Sequence, residues 1–161
     1  MKIKLFPFQS LAVENLRLKA DYALKSYRET HTPQVVSLQA PTGSGKTVMM
    51  TAFIENVLFG DERHDEMSNA VFVWLSDSPA LNEQSKEKIE LKSDKIQFGQ
   101  CVTVEDSSFD RETFEDGHIY FLNTQKVSRA GNLGVKSDSR QYTIWETIQN
   151  TIKEKSDRLF F

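Results

Sequence analysis

The sequence predicts an α/β fold: a three-layer sandwich around a mostly parallel sheet. Three observations predict it. Helix-like and strand-like apolar patterns alternate along the chain. Residues 70–75 (AVFVWL) are apolar almost without interruption, as in a strand covered on both faces. A glycine-rich turn, residues 40–47, stands between a strand pattern and a helix pattern.

The longest helical period covers residues 8–27, where Ala12, Leu16, Ala20, Ala23 and Tyr27 recur at steps of three and four. Pro7 stands just ahead of it, where a missing N–H costs nothing. Residues 34–39 (QVVSLQ) are short and β-branched, follow His31-Thr32-Pro33, and read as a strand. Residues 46–58 put Val48, Met49, Ala52, Phe53 and Val57 on one helical face. The polar run 60–69 (GDERHDEMSN) reads as an exposed loop. Ser78-Pro79 opens a helix that runs to about Leu91. Residues 97–104 and 118–122 are further strand candidates, separated by an acidic, irregular stretch at 105–117. Residues 128–139, with Gly131 and Gly134, are expected to form a flexible loop. A last helix is expected at 140–155, with Ile144, Trp145, Ile148 and Ile152 on one side.

A chain of 161 residues fits one domain. Hydrophobic residues at 39% and charged residues at 27% exclude a disordered tail or a collagen. Twenty Lys plus Arg against 23 Asp plus Glu give a charge of −3, which excludes a strongly basic nucleic-acid coat and leaves room for a local basic groove. The one cysteine, Cys101, rules out an internal disulfide and a cysteine-based zinc site, and fits a reducing, cytoplasmic setting. It lies on a strand candidate and is expected to be a small buried hydrophobe. No apolar run is long enough to span a membrane. His31, His64 and His118 lack metal-ligand spacing and read as plain surface or core residues.

The turn Ala40-Pro41-Thr42-Gly43-Ser44-Gly45-Lys46-Thr47 matches a phosphate-binding P-loop, with alanine at the first position instead of glycine. Gly43 and Gly45 permit backbone conformations closed to other residues, so successive N–H groups can converge on one anion. The helix that follows adds unpaired N–H donors and a partial positive charge. Residues 42–47 are therefore the candidate nucleotide contacts: Thr42, Gly43, Ser44, Gly45, Lys46 and Thr47. Lys46 can reach the β- and γ-phosphates and is the candidate catalytic residue. Thr47 is the candidate ligand of Mg²⁺, and ATP with Mg²⁺ is the expected cofactor pair. The plain alternative is a glycine-rich turn with no ligand.

The string APTGSGKT resembles motif I of superfamily 2 (DEAD/DEAH-like) helicases and translocases. It is closer still to the N-terminal motor lobe of the type III restriction enzyme Res subunit, which implies a RecA-like P-loop NTPase fold. Three other stretches carry the resemblance. Phe8-Gln9 matches an aromatic–Gln pair that reads adenine in the superfamily, which implies that Gln9, one donor and one acceptor, contacts the base; Phe8 is expected in the core. Residues 74–84 (WLSDSPALNEQ) are similar to motif Ia, which implies that Ser76 and Ser78 touch the nucleic-acid backbone, with Asp77 an awkward neighbour. Residues 119–126 (IYFLNTQK) resemble a later strand and turn, which implies a phosphate contact at Thr124 supported by Lys126. Helix caps are the plain readings of these last two stretches. The resemblance covers residues 5–128.

One departure matters. The acidic pair of motif II is not evident: Asp61-Glu62 and Asp65-Glu66 follow no apolar strand, Asp77 sits in the motif Ia position, and Asp157 precedes only Arg158-Leu159-Phe160-Phe161. Residues 1–161 are thus expected to be the N-terminal part of a RecA-like ATP-binding helicase domain, cut before motif II, binding ATP with little hydrolysis of its own. The resemblance implies that the intact protein couples ATP hydrolysis to movement on double-stranded DNA in a restriction–modification system. It also implies restriction endonuclease activity there, with the nuclease domain outside this chain, and a modification (methyltransferase) subunit as partner. Two alternatives remain: a non-catalytic nucleotide-binding switch module, and a small-molecule P-loop kinase with Arg129 and Arg140 as its lid arginines. Lys86, Lys88, Lys92 and Lys95 interleave with Glu83, Glu87 and Glu90 and read as a solvated, ion-paired helix face.

Overall fold

In the computed structural model, which describes residues 1–127, 132–137 and 140–161, the longest apolar period becomes helix α1 (Pro7–Thr30). Pro7 takes the first helical position. Of the expected stripe, Leu16 and Ala20 are buried and Ala12, Ala23 and Tyr27 half-buried. Arg17 is buried with them; its guanidinium donates to the Asp65 carbonyl at 2.9 Å and to the Asp21 carboxylate, so the buried charge is paired. Phe8 is a correction. It is 55% exposed and stacks on the equally open Phe6, because the buried position at this end of the helix belongs to Gln9.

The chain forms two compact units. The first comprises residues 1–68 and 88–97. It holds α1, α2 (Lys46–Phe59) and the last turn of α3 (Pro79–Lys92). Helix α2 is buried around most of its circumference, Thr51 and Glu55 included, so a one-sided apolar face understates it. The loop at 60–69 is mostly exposed, as expected, yet His64 is buried: Asp21 lies 3.1 Å and Glu14 3.6 Å from its ring nitrogens.

Residues 34–39 are a second correction. They form no strand, and Val35 is 90% exposed. β-Branched residues favour a strand only where a neighbour takes their N–H and C=O groups. The four paired strands of the structure do not include this segment.

The second unit comprises residues 69–87 and 98–161. Its sheet has strands β1 (Val71–Ser76), β2 (Cys101–Thr103), β3 (Ile119–Asn123) and β4 (Leu159–Phe160) in the order β2-β3-β1-β4, all parallel. The register sets Ser76 beside Asn123 and Phe72 beside Phe160. The expected strand at 97–104 is shorter than predicted, because Phe98–Gln100 form a 3-10 turn before it. Strand β4 was not expected at all; it is two residues long, and its Phe160 ring stacks on Phe72. Cys101 is buried on β2, as expected.

Val71, Val73, Tyr120 and Leu122 project from one face of the sheet into a core with Val104, Phe109, Phe114 and Ile144. Phe109 and Phe114 come from the irregular stretch at 105–117, which is therefore less peripheral than its acidity suggests. Helix α4 (Ile144–Lys155) starts later than predicted, at a Thr143 cap that accepts from the Glu146 N–H. Its buried face is Ile144, Thr147 and Thr151; Trp145 and Ile152 stand about a third of a turn away and are 47% and 43% exposed. Of the expected flexible loop, residues 132–134 form a 3-10 turn, and 128–131 and 138–139 lie outside the described residues. Among the described residues no helix is long and apolar enough to cross a membrane. An α/β class with a parallel sheet, as the alternating pattern predicted, is what the chain adopts.

Candidate functional site

The turn at 40–47 depends on two backbone conformations. Gly43 has φ 82° and Gly45 φ 84°, a region that L side chains rarely adopt. The Ser44 N–H donates to the Pro41 carbonyl at 3.2 Å, which closes the bend. Gly45 then caps α2, and the N–H groups of the first helical turn point out of the helix without intrahelical acceptors. Space in front of Gly43 is open, with no atom within 4 Å of where a Cβ would stand. The Lys46 ammonium bends back over the loop and donates to the carbonyls of Ala40 at 2.9 Å and Pro41 at 3.1 Å. Thr47 lies one residue on, its carbonyl accepting from Thr51 Oγ1 at 2.7 Å.

Gln9 joins this group in a way that the sequence did not indicate. It is 7% exposed, its Nε2 donates to the Ser44 carbonyl at 2.9 Å, and its Oε1 accepts from the Phe6 N–H at 3.0 Å. A Cβ on Gly45 would stand 2.6 Å from the same Nε2. Gln9 thus braces the turn, with one N–H and one lone pair left over. The arrangement suits a polyphosphate: converging amides, a helix N-terminus, a lysine held by weak neutral acceptors and an open approach at Gly43. For Mg²⁺ the chain offers the Thr47 hydroxyl; no group of three metal-ligating side chains occurs among the described residues. One hydroxyl fits a cation that takes its other ligands from phosphates and water.

The second set of candidates lies at the C-terminal ends of β1 and β3. The Ser76 carbonyl accepts from the Thr124 N–H at 2.9 Å and from Thr124 Oγ1 at 3.3 Å, so the two turns are tied together. Ser76 Oγ donates to the Ser78 carbonyl at 2.8 Å and accepts from the Ser78 N–H at 3.3 Å. These are turn and cap bonds, and they engage the Ser76 and Thr124 hydroxyl hydrogens within the protein. Lys126 lies 2.9 Å from Glu105 and 3.4 Å from Asp106. The hydrogen bond that it donates to Glu105 holds its ammonium above the usual lysine value. Glu105-Asp106 form an acidic pair after β2, with Val104 between, at the start of the stretch that the sequence marks as irregular; their carboxylates engage Lys126. Asp157 precedes β4, at the strand's N-terminal end, opposite to where Ser76 and Thr124 lie.

Two residues were missed. Asn82 and Asn123, 3% and 4% exposed, each leave one buried side-chain atom without a hydrogen-bond partner. An asparagine within an apolar strand gives only a weak signal, because its burial is not written locally. The arginines of the kinase alternative fare differently. Arg129 lies outside the described residues, while Arg140 is 8% exposed and donates to the carbonyls of Phe109, Val135 and Asp106, which removes it from any lid.

No curated protein and no solved structure matches the chain. A family model does: that of the type III restriction enzyme, res subunit, over residues 2–160.

Proposed function

Because the chain belongs to the family of type III restriction enzyme res subunits, with its P-loop NTPase fold and helicase-like motor, we propose that residues 1–161 hold ATP for a motor that moves on double-stranded DNA. The observation that carries this reading is the bend at Gly43 and Gly45, both at positive φ, which leads the backbone into the N-terminus of α2. Amides of residues 43 and 45–47 bind the phosphates around the bend that the Ser44 N–H closes, and Lys46 leaves the Ala40 and Pro41 carbonyls to meet the β- and γ-oxygens. Thr47 offers its hydroxyl to Mg²⁺, which supplies neutralisation of phosphate charge when bound. Gln9 fixes the Ser44 carbonyl, and its free N–H and lone pair are suited to the adenine edge.

Ser76, Ser78 and Thr124 belong to the DNA side of this reading, with Lys126 behind them. The parallel sheet supports it, since ligands of such sheets sit beyond the C-terminal ends of the strands. Among the described residues the acidic pair that does follow a strand, Glu105-Asp106, is bound to Lys126. The chain therefore binds nucleotide with little turnover, and in the intact enzyme ATP hydrolysis drives movement in the cytoplasm beside a DNA-modifying subunit.

Two titrations of the 161-residue chain test the reading. Fluorescent ATP, GTP and CTP analogues should bind in the order ATP first, and Gln9→Ala should level them. Labelled duplex DNA should bind with an affinity that falls as salt rises. Equal binding of all three nucleotides by the wild type removes Gln9 from the base, and absence of DNA binding at low salt removes the strand-end contacts.

A further inference from the structure

We infer that the side-chain amide of Asn123 is a DNA-backbone contact at the ends of β1 and β3, its Nδ2 donating to a phosphodiester oxygen; this rests on the DNA reading of that end. The chemistry starts from burial. All five residues of β3 are buried, and Asn123 is 4% exposed at its end. Its Oδ1 accepts the Gln125 N–H at 2.8 Å, closing the turn that carries Thr124. That bond also fixes the amide's orientation, since the flipped form would set donor against donor. Nδ2 is left buried and, among the described residues, without an acceptor.

Closing the turn does not explain asparagine. An aspartate could accept the same N–H with no donor left over, and an unsatisfied buried donor in such a place calls for a partner. The neighbouring acceptor is already occupied: the Ser76 carbonyl takes two donors from Thr124. Thr124 has committed its hydroxyl hydrogen there, and Lys126 is held by two carboxylates. Among the described residues Asn123 Nδ2 is a buried donor beside these turns without an acceptor, and a phosphodiester oxygen, which accepts only, is its chemical complement. Thr124 and Gln125 of this turn are exposed while Asn123 is buried, so contact with a phosphate requires the side chain to be uncovered.

Asn123→Ser separates the two roles of the residue. Serine keeps an acceptor for the Gln125 N–H and removes the amide Nδ2, leaving a shorter hydroxyl whose hydrogen lies nearer the backbone; alanine removes donor and acceptor alike. DNA affinity of the 161-residue chain is read by anisotropy of a labelled duplex over a series of salt concentrations, beside thermal melting and ATP-analogue binding. The expected result is that Asn123→Ser and Asn123→Ala both weaken DNA binding about tenfold, as for a hydrogen bond to a charged group. The slope of log Kd against log salt stays unchanged, because a neutral donor releases no counterion. ATP-analogue affinity and the melting of Asn123→Ser stay as in wild type. A wild type that binds DNA while Asn123→Ser and Asn123→Ala bind it equally well overturns this inference alone and leaves Asn123 a turn residue. A wild type that does not bind DNA overturns the underlying reading and this inference together.

Discussion

Lys46 and Lys126 both fold back onto their own chain, and what they meet differs. Lys46 rests on two neutral carbonyls, those of Ala40 and Pro41. Lys126 rests on two carboxylates, Glu105 and Asp106. Both sets of bonds have a charged donor, but a carboxylate adds the attraction of a full opposite charge that a neutral carbonyl lacks. An incoming phosphate therefore captures Lys46 from weak, uncharged competitors and must draw Lys126 away from opposite charges. Both lysines occupy positions that their motifs associate with phosphate, and only the first is free of a carboxylate partner among the described residues. The lesson is that the bend at 43–45 is set mainly by its own glycines, whereas the surroundings of Lys126 depend on residues 20 and 21 positions away.

The largest expected effect separates the two lysines directly. Lys46→Ala should weaken binding of Mg²⁺–ATP by about 100-fold, two charge-assisted bonds lost, whereas Lys126→Ala should leave it unchanged. Calorimetry of both variants checks this, and equal losses would put the lysines on one footing. Gly45→Ala tests the backbone half of the comparison. Its φ of 84° and a Cβ 2.6 Å from Gln9 Nε2 should lower Tm by several degrees, for a strain on the order of 1–2 kcal/mol, and reduce ATP binding with it. An alanine variant that melts and binds as wild type would mean that the bend is not needed.

Glu105→Gln is expected to act more mildly and in the opposite sense. Loosening an exposed ion pair, worth up to ~1 kcal/mol, should raise DNA affinity up to about fivefold and steepen the salt dependence by about one unit of slope. Unchanged affinity would show that the carboxylates do not compete with DNA for Lys126. The smallest effect is a matter of pH at a site away from both lysines. Glu146 is held down to about 2 from an ordinary 4.5, first by its bond from Lys136 and then by the Thr143 N–H. A depressed carboxylate stabilises the fold above its unfolded value, and that contribution fades as pH falls from 4.5 through about 2. Acid unfolding of Lys136→Ala beside wild type should show a gap at neutral pH that closes across this window.

Much of this architecture was readable because it is periodic or local. The stripe of α1 and the glycines of the phosphate turn need only their own neighbours in sequence. Residues 34–39 and β1 make the contrast plain: both are rich in β-branched or aromatic residues, but β1 lies between β3 and β4 while the other segment is unpaired. Strand pairing is a property of two segments, and one segment cannot report it. β4 escaped notice because two residues carry no period. On α4, Ile144 and Ile148 were placed correctly, while adjacent Trp145 and Ile152 sit about 100° round the helix and face outward. At the site, the grouping of residues 42–47 followed from the motif, whereas the bond from Gln9 to Ser44 and the caging of Lys126 join residues 35 and 21 positions apart. No local pattern encodes such contacts.

The central claim is that the amides around Gly43–Lys46 grip the phosphates of a nucleotide. Isothermal titration of the 161-residue chain with a slowly hydrolysed ATP analogue and Mg²⁺ tests it most directly. The expected result is saturable binding of one nucleotide per chain and a Tm that climbs with nucleotide concentration. A silent titration with an unmoved Tm would contradict it.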